Sequence, residues 1–187
     1  MNQENTRKPH ELSDFLRQKK ILALPTESVY GLSCIVRADM IKKVTKLKNR
    51  DVSKGFIVVS GNLNHLTMFL DTKKLNDYHK KNIAQVSCRP ITWVAPLHPR
   101  YFWINPALKT IAIRLTNFPI LKNVTKYLDE AIISTSANIA SHKPAQSAFE
   151  VLRYFGSQVD YIYPKFNPIT QSPSTIIDLL TGKCIRP

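Results

Sequence analysis

Apolar residues along this chain recur in two ways, at helical spacing and in short unbroken runs, the pattern of helices laid against buried strands. Leu12, Phe15 and Leu16 are spaced for one helical face, and Ile21-Leu22-Ala23-Leu24 follows as a buried strand that stops at Pro25. A second stripe, Met40, Ile41, Val44 and Leu47, predicts a helix capped at Asp39, and the β-rich run Gly55-Phe56-Ile57-Val58-Val59 predicts the next strand. Between them lies a turn carrying Lys48, Arg50 and Lys54. The segment 24–32 reads as a strand end passing into a turn. Further strands are expected over 91–95, 111–115, 131–134 and 174–179, with helices over 75–84, 119–128 and 147–155. This alternation predicts an α/β fold, a twisted open mixed sheet flanked by helices, with ligands held in loops beyond strand ends.

The 187 residues contain no repeat, low-complexity tract or Gly/Ser linker, so residues 1–9 are expected as a polar N-terminal tail and 10–187 as a single domain. No apolar run approaches the roughly 20 residues of a membrane helix, and the first residues lack the character of a signal peptide. A soluble, cytoplasmic protein with no membrane partner is the expectation. Charge sharpens this. Lys and Arg number 27 against 13 Asp and Glu, a formal net charge of +14, and no acidic residue stands between Asp77 and Asp129. Such an excess points to an anionic partner without naming it. Cys34, Cys88 and Cys184 are widely spaced and the five histidines form no i, i+4 pair, which argues against a disulfide framework and a zinc site; no metal ligands are assigned.

The familiar phosphate loops are missing, and only five glycines exist to build one. Any nucleotide site needs another design. Leu24-Pro25-Thr26-Glu27-Ser28-Val29-Tyr30-Gly31-Leu32 brings a hydroxyl, a carboxylate and a phenol together at a strand end. Ser134, Ser136 and Asn138, where a buried strand is expected to give way to a loop, offer hydroxyl and amide groups to phosphate oxygens. Arg114 carries a guanidinium fork matched to a carboxylate. Taken singly, each is also ordinary turn chemistry or solvated surface.

Together, Pro-Thr-Glu-Ser-Val-Tyr-Gly-Leu at 25–32, Lys48-Asn49-Arg50 and Ser134-Thr135-Ser136-Ala137-Asn138 resemble the motifs of the YrdC/TsaC threonylcarbamoyl-AMP synthases. The likeness continues through 111–115, 173–178 and 184–187, so it runs from about residue 10 onward and matches the short, single-domain form. It implies a YrdC-like sheet with a basic central cavity and the condensation of L-threonine, bicarbonate (or CO2) and ATP into threonylcarbamoyl-AMP and pyrophosphate, for threonylcarbamoyladenosine beside the tRNA anticodon. By resemblance, Lys48 and Arg50 are the catalytic pair. ATP would meet Arg50, Lys54, Thr110, Ser136, Asn138 and Arg186, and threonine would meet Thr26, Arg114, Ser134 and Ser174. ATP is then a substrate, with Mg²⁺ carried by the nucleotide. Downstream tRNA threonylcarbamoyl transferase proteins would be partners, with weak contact to tRNA itself. The chemistry suits the charge: ATP carries about four negative charges and N-carboxy-threonine two, so a site joining them must cancel strong repulsion. Glu27 receives no proton-transfer role.

Four departures stand out. Asp51 follows Arg50 where proline is usual, Ser33 follows Gly31-Leu32 where glycine is usual, and Ser87-Cys88-Arg89-Pro90 replaces Trp-Pro-Gly-Pro. Ile139-Ala140-Ser141 replaces Leu-Ser-Gly. Charge alone leaves a second class open, a non-catalytic basic module holding RNA through its phosphates. Carbamoyltransferases that mature hydrogenases also contain such a domain, but alongside others for which this chain has no room.

Overall fold

The computed structural model describes residues 6–51, 55–87, 89–164 and 173–187; Lys54 and Cys88 lie outside the described residues. Helix α1 (Pro9–Arg17) starts with proline in its first turn and buries Leu12 and Leu16. Arg7 stacks over Phe15 at 4.6 Å, so this part of the expected tail packs on the domain. Strand β1 (Leu22–Pro25) and strand β2 (Tyr30–Ile35) are buried at every position. Strand β2 corrects the expectation of a turn. Gly31 and Ser33 break its apolar pattern, and only the cover on both faces makes the segment a central strand. Ser33 is wholly buried and its hydroxyl has no hydrogen-bond partner among the described residues.

Helix α2 (Ala38–Leu47) is capped by Arg37, not Asp39; Asp39 sits in the first turn, where a carboxylate complements the helix dipole, and pairs with Lys19 at 2.9 Å. Strand β3 (Ile57–Ser60) leads into a short helix α3 (Leu63–Thr67) that was not anticipated. Helix α4 (Asp77–Ala84), capped by Asn76, precedes β4 (Ile91–Pro96) and β5 (Thr110–Leu115). Helix α5 (Pro119–Leu128) covers the expected residues, and β6 (Ile132–Ser136) runs two residues further than expected, so Ser134 and Ser136 are strand residues. Helix α6 (Ala148–Phe155) is capped by the Ser147 hydroxyl. Two-residue β7 (Tyr161–Ile162) and edge strand β9 (Cys184–Arg186) were too short to read, while β8 (Thr175–Asp178) was expected.

The described strands form one open mixed sheet, in the order β7-β1-β2-β6-β3-β5-β4-β8-β9. Three pairs are parallel (β1 with β7, β3 with β5, β4 with β8) and the other five antiparallel. Helix α1 packs against α5, and α5 against β3 and β1. Among the described residues no helix is long and apolar enough to cross a membrane.

Candidate active site

A cavity of about 360 Å³ lies across strands β2, β6, β5, β4, β8 and β9. Its lining takes Thr110, Ile111, Ala112 and Arg114 from β5 and Ser134, Thr135 and Ser136 from β6. In the β2–β6 ladder Gly31 faces Ser136. A Cβ on Gly31 would collide with the Ser134 hydroxyl and come within 3.2 Å of Thr26, so glycine keeps this corner open.

Guanidinium groups enter from three elements. Arg50, from the turn after α2, donates from Nη1 to Thr135 Oγ1 at 3.1 Å and lies 5.7 Å over the Phe56 ring. Arg186, on β9, donates from Nη2 to the Ser174 carbonyl at 2.7 Å, and Ser174 Oγ meets buried Thr92 Oγ1 at 2.8 Å. Burial, reinforced by the charge of Arg114, pulls the Arg186 pKa down, and burial alone does so for Arg50. Arg114 is the third and the most enclosed, 6% exposed. Among the described residues the wall contains these three arginines and no carboxylate.

Behind the wall, Glu27 Oε2 lies 3.4 Å from Arg114 Nη2, and Glu27 Oε1 accepts from Thr116 Oγ1 at 2.6 Å. Among the described residues Arg114 Nε and Glu27 Oε2 are buried without a hydrogen bond, so charge rather than an aligned bond joins the two side chains. Thr26 lines the cavity while its hydroxyl donates to the Val29 carbonyl at 2.8 Å, closing the β1–β2 turn.

The cavity therefore gathers eight of the residues singled out in the sequence: Thr26, Arg50, Thr110, Arg114, Ser134, Ser136, Ser174 and Arg186. Lys48 and Asn138 are placed otherwise. Lys48 is 2% exposed and does not line the cavity; its Nζ donates to the Ser136 carbonyl and, at 2.9 and 3.0 Å, to the Asn138 carbonyl and Oδ1. Burial, with the charge of Arg50 adding to it, pushes the Lys48 ammonium down to about 7. Asn138 Oδ1 also accepts from Ser136 Oγ at 2.7 Å, and its Nδ2 donates to the His142 carbonyl at 2.7 Å. Both side chains tie the loop after β6. Thr92, Thr116 and Thr135 received no role from the sequence because a threonine in or beside a strand is an ordinary strand residue, and only tertiary placement sets Thr92 against Ser174, Thr116 against Glu27 and Thr135 against Arg50.

The family of Sua5, YciO and YrdC, described as "Telomere recombination", matches residues 14–187. The chain belongs to this family. Its relatives include proteins named threonylcarbamoyl-AMP synthase from Cellvibrio japonicus, 35% identical over 94% of this chain and 93% of that protein, and from Hahella chejuensis, 38% identical over 89% and 90%. Among solved structures, E. coli YciO superposes with a TM-score of 0.76 at 19% identity, covering 96% of this chain and 90% of that one. P. abyssi Sua5, complexed with L-threonine, gives a TM-score of 0.82 at 23% identity over 91% of this chain, which spans about half (50%) of that longer protein. These two structural likenesses establish a shared fold. Membership of the family accounts for the order of the three motifs along the chain.

Proposed function

We propose that this protein is a threonylcarbamoyl-AMP synthase, a nucleotidyl-transferring enzyme that joins L-threonine, bicarbonate and ATP into threonylcarbamoyl-AMP and pyrophosphate. The observation that carries the reading is the convergence of Arg50, Arg114 and Arg186 on one cavity also lined by Ser134, Ser136 and Ser174. Relatives of similar length bearing that name, and the L-threonine held by P. abyssi Sua5, support it.

In this reading Arg114 receives the threonine carboxylate, with Thr26, Ser134 and Ser174 around the rest of the amino acid. The threonine amine adds to CO2 derived from bicarbonate and loses a proton, giving a carbamate. A carbamate oxygen then attacks the α-phosphorus of ATP; the new P–O bond forms as the bond to the β-phosphate breaks, and pyrophosphate leaves with the electron pair. Arg50, Arg186, Thr110 and Ser136 surround the phosphates and stabilise the charge that builds on them. Holding two anions together in a closed site replaces a bimolecular encounter, so positioning and neutralisation supply most of the catalysis. Lys48 and Asn138 act on the reaction by fixing Ser136. Among the described residues the wall offers no carboxylate to hold Mg²⁺, so the ion would be held by the triphosphate oxygens and arrive as part of the substrate. The protein would act in the cytoplasm, touch tRNA weakly, and pass its product to a tRNA threonylcarbamoyl transferase.

Pyrophosphate release should require threonine, bicarbonate and ATP together. Arg50→Ala should abolish it without shifting the thermal midpoint. Release that ignores threonine refutes the reading.

A further inference from the structure

We infer that Thr116 is a positioning residue for the amino-acid half of the cavity: its hydroxyl fixes Glu27, and Glu27 fixes the guanidinium of Arg114. This rests on the synthase reading, in which Arg114 meets the threonine carboxylate. Thr116 follows the end of β5 and is 1% exposed. Its backbone N–H donates to the Ser60 carbonyl at 3.0 Å, which anchors it to β3. Its Oγ1 accepts from the Phe118 N–H at 3.0 Å, just before α5, so the hydroxyl proton is left to point at Glu27 Oε1, 2.6 Å away. That is the one hydrogen bond on the Glu27 carboxylate among the described residues, because Oε2 faces Arg114 without one.

The arrangement makes Thr116 decisive for two reasons. A carboxylate held by a single directed bond loses its orientation when that bond is removed. Glu27 also has somewhere to go, since it borders a second cavity of about 380 Å³ formed with Gln85, Ser87, Pro90, Asn117 and Phe118. A Glu27 turned into that space no longer balances Arg114 or sets its angle. The guanidinium then meets the threonine carboxylate from a range of positions instead of one.

The test compares Thr116→Val, which keeps the shape and loses the hydroxyl, with Thr116→Ser, which keeps the hydroxyl. Steady-state pyrophosphate release is measured at varied threonine and at varied ATP, with Arg114→Lys as the control for the clamp. Thr116→Val should raise the KM for threonine roughly tenfold or more, the scale of losing a hydrogen bond to a charged group, and leave the KM for ATP within about twofold. Thr116→Ser should restore the wild-type KM for threonine. An unchanged threonine KM in Thr116→Val, an equal rise in both KM values, or no recovery in Thr116→Ser overturns the inference while a threonine-dependent wild type leaves the synthase reading standing. A wild type indifferent to threonine overturns both, and an Arg114→Lys variant with an unaltered threonine KM overturns the clamp on which the inference depends.

Discussion

Replacing Lys48 with methionine separates a brace from a catalyst. Methionine matches the length of the buried stem but offers no donor, so the Ser136 carbonyl, the Asn138 carbonyl and Asn138 Oδ1 each lose the lysine hydrogen bond. Three buried hydrogen bonds lost at about 1 kcal/mol or more apiece give a destabilisation on the order of 3 kcal/mol. In a domain of 187 residues that lowers the thermal midpoint by roughly 10 °C. The lysine also leaves a pH signature. Its folded pKa is depressed to about 7 from 10.5, so between these values the unfolded chain binds a proton that the folded chain refuses, and stability rises with pH. At about 1.4 kcal/mol per unit, wild type should gain roughly 2 kcal/mol over Lys48→Met between pH 7 and pH 9. Below pH 7 both states hold the proton and the difference becomes flat. Urea midpoints of the two proteins at pH 6, 7 and 9 measure this directly. Equal midpoints throughout, together with lost pyrophosphate release, would mean that Nζ acts on substrate and that the bracing argument is wrong.

Gly31→Ala places a methyl group against the Ser134 hydroxyl and Thr26, so threonine-dependent turnover should fall at least tenfold while circular dichroism stays native; wild-type kinetics would show that this corner does not meet substrate. Ser141 holds a left-handed backbone, φ +67°, at the place where related motifs carry glycine. Ser141→Gly relieves that strain, less the entropy glycine loses on folding, and should raise stability by up to about 1 kcal/mol in urea melts; a loss of stability refutes the account.

Much of the fold was legible because local pattern and tertiary environment agree. Helix α5 has proline in its first turn and an apolar stripe of Leu121, Val124 and Leu128, and it forms where that pattern places it. The same holds for α1 and for β4 and β5 within a residue. Strand β2 was illegible because Gly31 and Ser33 occupy a strand covered on both faces, where the alternation that marks a half-buried strand is absent. Strands β7 and β9 exist only as partners of β1 and β8, and two or three residues carry no period of their own.

At the site, residue type and order along the chain determined which chemistry was available: arginine forks, hydroxyls and a carboxylate-free basic stretch, in motifs that mark the family. Packing alone decided which of those groups share the cavity. Lys48 and Arg50 stand two residues apart, yet one is turned into backbone carbonyls and the other toward Thr135 at the cavity wall. Glu27 and Arg114, distant in sequence, meet because the β1–β2 turn and the end of β5 are brought side by side. A buried charge needs a partner in whatever direction the fold supplies one, and that direction is a property of neighbours brought together from elsewhere in the chain.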